Sequence, residues 1–322
     1  MERRWPVLCI VGPTATGKSD LAVRVAREVD GEVVSADSMQ VYRHMDVGTA
    51  KLTREEMQGV PHHLIDVVNP DEVFTVAEWK QRAERAIVEI LERGRLPLLV
   101  GGTGLYIRAI TDDLNFAERD ETGRIREKWQ RYLEEHGQEA LYAVLQERDE
   151  DTAARLHPND TRRVIRALEV SETRERPWSE TYDFRVREGR FETVQFGLTM
   201  TREVLYRRVE ARVDKMLEQG LVAEVKKLLE HGLRPDLTSL QAIGYKELVA
   251  FLRGDLSYEE AVAQIKRNTR RFVKRQLSWF RRDPRVIWLR VAADGSLADE
   301  DYDRVVAAAK RLAAGIRGSD LE

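Results

Sequence analysis

Three observations predict an α/β fold for this 322-residue chain, a mostly parallel sheet flanked by helices with a helical insertion domain. Short apolar runs alternate with amphipathic stretches, a glycine-rich loop follows the first run, and strand-like segments vanish between residues 116 and 190. Strands that alternate with helices must return to the same sheet edge through crossovers, and such units pair in parallel with both faces covered.

The first strand is "PVLCIV", residues 6–11, and the loop "GPTATGKS" leads from it into a helix. "GEVVSA", "HHLIDVV" and "LPLLVGG" read as the next three strands, because each is a short apolar, β-branched run bounded by polar or glycine punctuation. "RIREKWQRYLEEHG" and "DTRRVIRALEVSE" then carry helical periodicity, dense in Arg and Glu. "TVQFGLTM" returns the chain to the sheet, a long helix starts near Arg202, and another runs from Tyr258 to Arg282 before the strand "RVIWLRV". Residues 1–115 and 191–322 are therefore expected to form one core, with 116–190 inserted in it.

Composition narrows the function. Hydrophobic content of 42%, charged content of 34% and net charge −3 describe a globular chain without a global basic field, so any nucleic-acid site must be a local patch. The single cysteine, Cys9, excludes a disulfide framework and a cysteine-rich zinc site, fits a reducing compartment, and reads as core within "VLCIV". No apolar run approaches the ~20 residues that span a bilayer. Two arginines precede the first strand, but the run meets the glycine loop without a cleavage site. A cytoplasmic location is expected.

Gly12 to Ser19 matches G-x-x-x-x-G-K-[ST] between a strand and a helix, the context that separates a phosphate loop from an ordinary glycine turn. Its glycines let backbone N–H groups turn onto an anion at a helix N-terminus. Lys18 adds a point charge, and the Ser19 hydroxyl suits Mg²⁺. The core is thus P-loop NTPase-like. A nucleotide hydrolase would usually carry a metal-holding carboxylate at the end of another strand, yet "RLPLLVGGTGLY" ends in Gly101, Gly102, Thr103 and Gly104. Asp37 lies past the end of the second strand, where open α/β sheets hold ligands. Its position alone leaves a ribose contact, a metal contact and a solvated carboxylate open.

From Ala261 to Arg282 there are eight Lys or Arg and no acid. Lys266, Arg270 and Lys274 step by four, as do Arg267, Arg271 and Arg275, so each row lies along one side of a helix. Phosphate binding is one reading, and a solvated or packing face is the other, since Phe272, Trp279 and Phe280 would pack the same helix. His62, His63 and His157 lack metal-ligand spacing and read as structural or RNA-facing, leaving no metal beyond Mg²⁺.

"GPTATGKS", "SADSMQVYRHMDVGTAK", "LLVGGTGLY", "HPND" with Arg162, Arg163 and Arg166, "RRVEARVDKM" and "AIGYKE" together resemble the tRNA dimethylallyltransferase (tRNA isopentenyltransferase) family in its short bacterial form. The resemblance runs in order from about Val7 to Arg282. It departs at Val47, often Ile in the family, at Leu52, often Pro, and in lacking the zinc finger of some eukaryotic members. It implies transfer of a dimethylallyl group from its diphosphate to the exocyclic amine of the adenosine 3′ to the anticodon. Gly12, Thr14, Ala15, Thr16, Gly17, Lys18 and Ser19 would hold the diphosphate, with Mg²⁺ at Ser19.

By the same resemblance Asp37 is the expected general base, Thr103 lies near the bridging oxygen, and Arg212, with Arg208 as the alternative, reaches the diphosphate. Asp37, Ser38, Met39, Gln40 and Thr103 would line the wall facing the tRNA. Arg126, Arg162, Arg163, Arg166, Lys266, Arg270 and Lys274 would contact its anticodon stem-loop. A monomer with no membrane partner is expected. The competing readings are a small-molecule kinase and a nucleotide-switched RNA-binding protein; both require tight ATP or GTP binding, and "DSMQVY" and the acid-free strand end count against the kinase.

Overall fold

The apolar run near the N-terminus becomes the buried middle of the sheet: Val7 to Val11 are all 0% exposed. The structure, a computed structural model, describes residues 5–114, 116, 122–174, 177–181 and 189–317. It divides into two compact units, Met1–Asp113 with Glu188–Glu322, and Leu114–Arg187.

The first unit begins β1 (Trp5–Val11), α1 (Lys18–Val29), β2 (Glu32–Ser35), α2 (Arg54–Met57), β3 (His62–His63), α3 (Val76–Glu92), β4 (Pro97–Gly101) and α4 (Gly104–Thr111). The second unit holds α5 (Arg124–Arg148), α6 (Glu150–Ala153), α7 (Thr161–Arg174) and α8 (Trp178–Thr181). The chain resumes the first with β5 (Phe191–Thr199), α9 (Arg202–Glu218), α10 (Leu221–Glu230), α11 (Tyr245–Leu252), α12 (Tyr258–Phe280), β6 (Val286–Arg290) and α13 (Asp299–Arg317). No helix among the described residues is long and apolar enough to cross a membrane.

The six strands are ordered β3-β2-β4-β1-β5-β6, and every pair is parallel. Side chains alternate across a strand, so one set, Leu8, Ile10, Val33, Leu98 and Phe196, packs with Leu21 and Val25 of α1 and Val305, Ala309 and Leu312 of α13. The alternate set points to the opposite layer. There Trp79 of α3 is fully buried, stacks on Tyr106 at 4.2 Å and donates from Nε1 to the Ser35 carbonyl at 3.2 Å. Parallel order also lines up the carboxyl ends of β2, β4 and β1 as neighbours, which is what assembles the site below.

The strand expected from "HHLIDVV" shrinks to His62–His63. Leu64 and Asp66 adopt left-handed backbone, φ 63 and 57, which breaks the ladder, and the segment then pairs with residues 40–43 instead, through the Asp66 N–H to the Gln40 carbonyl at 3.1 Å and a bridge between Tyr42 and Val68. In the second unit Trp129, Leu141, Leu145, Val164 and Leu168 form the core, and Gly137, φ 82, kinks α5.

Glu32 opens β2 with its side chain 3% exposed. It accepts from Arg93 at 3.1 and 2.7 Å, from Arg95 at 3.1 Å and pairs with His63 at 2.6 Å. Burial alone would raise its carboxyl, but the hydrogen bonds from Arg93, His63 and Arg95 outweigh it and lower the pKa to about 2. A depressed carboxylate adds stability that is fully present above its unfolded pKa of about 4.3 and is lost as pH falls toward 2. Glu32→Gln should therefore cost about 2 kcal/mol near neutral pH and flatten the acid limb between about pH 4.5 and 2. Urea unfolding followed against pH measures both; an unchanged acid limb would remove Glu32 from the titration.

Candidate functional site

Three loops meet at the carboxyl edge of the sheet. The first, Gly12 to Gly17, joins β1 to α1 and holds Ala15 in left-handed backbone, φ 67. The Pro13 carbonyl accepts from the Thr16 hydroxyl at 2.8 Å and from Lys18 Nζ at 2.6 Å. Burial, reinforced by the Arg212 charge, pushes the Lys18 ammonium down to about 7 against the pull of Asp37. A cation held this way is stabilised by any anion that enters the loop, and the N-terminus of α1 favours the same charge. Ser19, in the first turn of α1, is part-exposed beside it.

The second loop follows β2. Asp37 Oδ1 accepts from the N–H groups of Met39 at 2.8 Å and Gln40 at 3.4 Å, a side-chain turn that fixes the carboxylate while Oδ2 makes neither bond. Gln40 is occupied within the loop: its Oε1 accepts from Ser35 Oγ at 3.1 Å and its Nε2 donates to the Thr49 carbonyl at 3.4 Å. The Ser38 N–H donates to Thr103 Oγ1 at 3.1 Å, and that hydroxyl lies 3.4 Å from Ser38 Oγ. Farther along, the Glu224 carboxylate of α10 accepts from the N–H groups of Asp46, Val47 and Gly48 at 2.8, 2.8 and 3.1 Å. Lys51, 5% exposed, ties Asp46 and Asp66 at 2.7 and 2.5 Å.

The third loop, after β4, carries Thr103, whose N–H donates to the Ala36 carbonyl at 3.1 Å. Two glycines here are required by the approach of α12. A Cβ on Gly102 would lie 2.2 Å from Gln276 Nε2, and one on Gly104 would lie 2.1 Å from Trp279 Cδ1. The run that looked like a missing carboxylate is therefore a surface shaped for a helix.

Arg208 and Arg212 on α9 part company. Arg208 donates from Nε to the Ala15 carbonyl at 3.0 Å and from Nη1 to Ala293 at 3.3 Å, so it staples the phosphate loop from outside. Arg212 is pushed down by burial and held up by the charges of Asp37, Asp20 and Glu56. Its charge acts on Lys18.

The basic rows on α12 also divide. Lys266 pairs with Asp214 at 2.6 Å and Arg270 with Glu210, both acids on α9 that the sequence of α12 gave no sign of. Lys274, Arg267, Arg271 and Arg275 are exposed. In the second unit Arg126 and Arg166 pair with Glu169, 1% exposed, at 2.9 and 3.1 Å. Arg162 is exposed and Arg163 sits 3.4 Å from Asp160. "HPND" immediately precedes α7: His157 Nδ1 accepts from the Asn159 N–H at 3.1 Å. His62 bonds the Val60 carbonyl at 2.9 Å and burial lowers its pKa. Among the described residues no group of three or more His, Cys, Asp or Glu is disposed to hold a metal. Burial pushes the Cys9 thiol up to about 12, leaving it inert in the core.

The sequence model of the IPP transferase family matches residues 40–283. The tRNA dimethylallyltransferase of Desulforudis audaxviator is 54% identical over 290 residues, covering 90% of this chain and 93% of that one. The crystal structure of the full-length tRNA isopentenylpyrophosphate transferase from Bacillus halodurans superposes with a TM-score of 0.70 at 44% identity, covering 98% of this chain and 99% of that chain. A eukaryotic dimethylallyltransferase solved acting on tRNA gives 0.76 at 32% identity, over 89% and 74% of the two chains. A phosphate loop braced by α12, a carboxylate on the adjoining loop, and identity sustained over nine-tenths of the length place this chain in the IPP transferase family.

Proposed function

We propose that the chain is a tRNA dimethylallyltransferase, moving a dimethylallyl group from its diphosphate to the exocyclic amine of the adenosine 3′ to the anticodon. The observation that carries this reading is the pairing of one phosphate loop, with Lys18 and Arg212 beside it, with a single turn-fixed carboxylate, Asp37, joined through Ser38 to Thr103. The names of the relatives point the same way.

The backbone N–H groups from Ala15 to Ser19, with Lys18 and Arg212, would hold the diphosphate. As the bond from the adenine nitrogen to the allylic carbon forms, the bond from that carbon to the bridging oxygen breaks, and its electron pair leaves with the diphosphate. Preformed cations and N–H groups stabilise that leaving group without reorganising. The alkylated amine then becomes acidic, and Asp37 takes its proton on Oδ2, since Oδ1 is held by Met39 and Gln40. Thr103 can turn its hydroxyl from Ser38 to the bridging oxygen. The hard-oxygen character of the Ser19 hydroxyl and diphosphate suits Mg²⁺, which would add positive charge to the departing diphosphate. Ser38, Met39 and Gln40 would line the wall beside an adenine drawn out of its stack.

On the RNA side Lys274, Arg267 and Arg271 are ready cations, whereas Lys266 and Arg270 would exchange a carboxylate for a phosphate. Arg162, Arg163, Arg126 and Arg166 belong to the same role in the second unit. The reading makes the enzyme a cytoplasmic monomer with tRNA and dimethylallyl diphosphate as substrates.

Labelled donor, unmodified tRNA and Mg²⁺ should yield prenylated adenosine on digestion, with excess ATP a weak competitor; tight ATP binding without product would favour the kinase reading. Asp37→Asn should slow single-turnover chemistry by about two to four orders of magnitude while both substrate dissociation constants stay within several-fold. Normal turnover at raised Mg²⁺ would instead make Asp37 a metal ligand. Replacing Arg267, Arg271 and Lys274 with Gln should flatten the salt dependence of tRNA binding by about one unit per lost phosphate contact. An unchanged slope assigns that row to solvent.

A further inference from the structure

We infer that Gln276 is a positioning residue that sets the diphosphate cradle against the loop bearing Thr103. The inference rests on the reading of Gly12–Ser19 as a diphosphate site. Gln276 lies on the buried side of α12, 6% exposed, within an otherwise basic run. Its Oε1 accepts from the Thr14 N–H at 2.9 Å, and its Nε2 donates to the Gly102 carbonyl at 3.1 Å. One amide thus uses its oxygen on the phosphate loop and its nitrogen on the loop after β4.

Both contacts fall on peptide units that are already held from the other side. The carbonyl of the Pro13–Thr14 peptide accepts from Thr16 and Lys18, and its N–H goes to Gln276. The N–H of the Gly102–Thr103 peptide goes to Ala36, and its carbonyl accepts from Gln276. When Lys18 swings to a phosphate, the Pro13 carbonyl loses one partner, and Gln276 with Thr16 still fixes the plane of that peptide. The same amide fixes the plane from which Thr103 projects, and Thr103 in turn holds Ser38 beside Asp37. Gly102 leaves no slack: a methyl there would meet Gln276 Nε2 at 2.2 Å. A side chain needed only to fill space would carry no polar atoms, because a buried amide costs free energy unless each group is bonded.

Gln276→Met keeps the length and volume of the side chain and removes both hydrogen bonds; Gly102→Ala leaves Gln276 intact and pushes its amide away. In the full-length chain each variant should weaken binding of dimethylallyl diphosphate, measured without tRNA, by roughly tenfold, the loss expected for one or two buried hydrogen bonds. Single-turnover rate at saturating donor should also fall roughly tenfold, because Thr103 and Asp37 are displaced from the bound donor, while tRNA affinity stays within about twofold. Should Gln276→Met fail to fold, Gly102→Ala carries the same test. Wild-type donor affinity and rate in a folded variant would overturn the inference, as would a parallel loss of donor and tRNA affinity that tracked a fall in melting temperature. A wild-type chain that binds no dimethylallyl diphosphate would overturn the donor assignment itself, a separate outcome read before any variant.

Discussion

The site depends on the parallel pairing of β2, β4 and β1 in that order. Parallel strands point their carboxyl ends the same way, so the loops that follow them are neighbours about one strand spacing apart, ~5 Å. That adjacency lets Thr103 donate to Ala36 and accept from Ser38, and brings Gly102 and Thr14 within reach of one glutamine. Segments more than 60 residues apart in sequence, Ser38 and Thr103, become hydrogen-bonded partners for this reason.

Charge is arranged around that scaffold as paired opposites. Lys18 and Arg212 are both pushed toward neutrality by burial and both opposed by Asp37, so the phosphate loop is a place where an anion would relieve a cost. On α12 the cations nearest α9 are answered by Asp214 and Glu210, and those facing solvent are left without an ion pair among the described residues. A chain of net charge −3 can present a basic row in this way without a basic field over the whole surface.

The block "DSMQVYRHMDVGTAK" was the most recognisable part of the sequence, and much of it is scaffold. Lys51 bonds Asp46, Asp66 and the Tyr42 carbonyl, and Glu224 caps three consecutive N–H groups of the same loop while accepting from Tyr245 at 2.6 Å. Asp37 holds the turn through one carboxylate oxygen, Oδ1, while Oδ2 takes no part in that turn. Gln40, expected on the wall facing the tRNA, is bonded to Ser35 and Thr49, so a contact to adenine through its amide would displace those bonds.

The sequence by itself determined what is written in local pattern. Apolar runs and helical periodicity marked the strands and helices, the phosphate loop was read from its own eight residues, and the carboxylate past β2 was found from its place at a strand end. Tertiary structure decided which partner each side chain has. It shortened β3 through two left-handed residues, chose Arg208 as a loop staple, buried Glu169 beneath two arginines, and matched Lys266 and Arg270 to acids on another helix. Gln276 was illegible because a neutral amide in a basic run has no period and no motif; only the glycines at 102 and 104 hinted that something packs there. The physical reason is that periodicity encodes the faces of an element's own backbone, while the choice of partner depends on strand order and on distances between segments far apart in the chain.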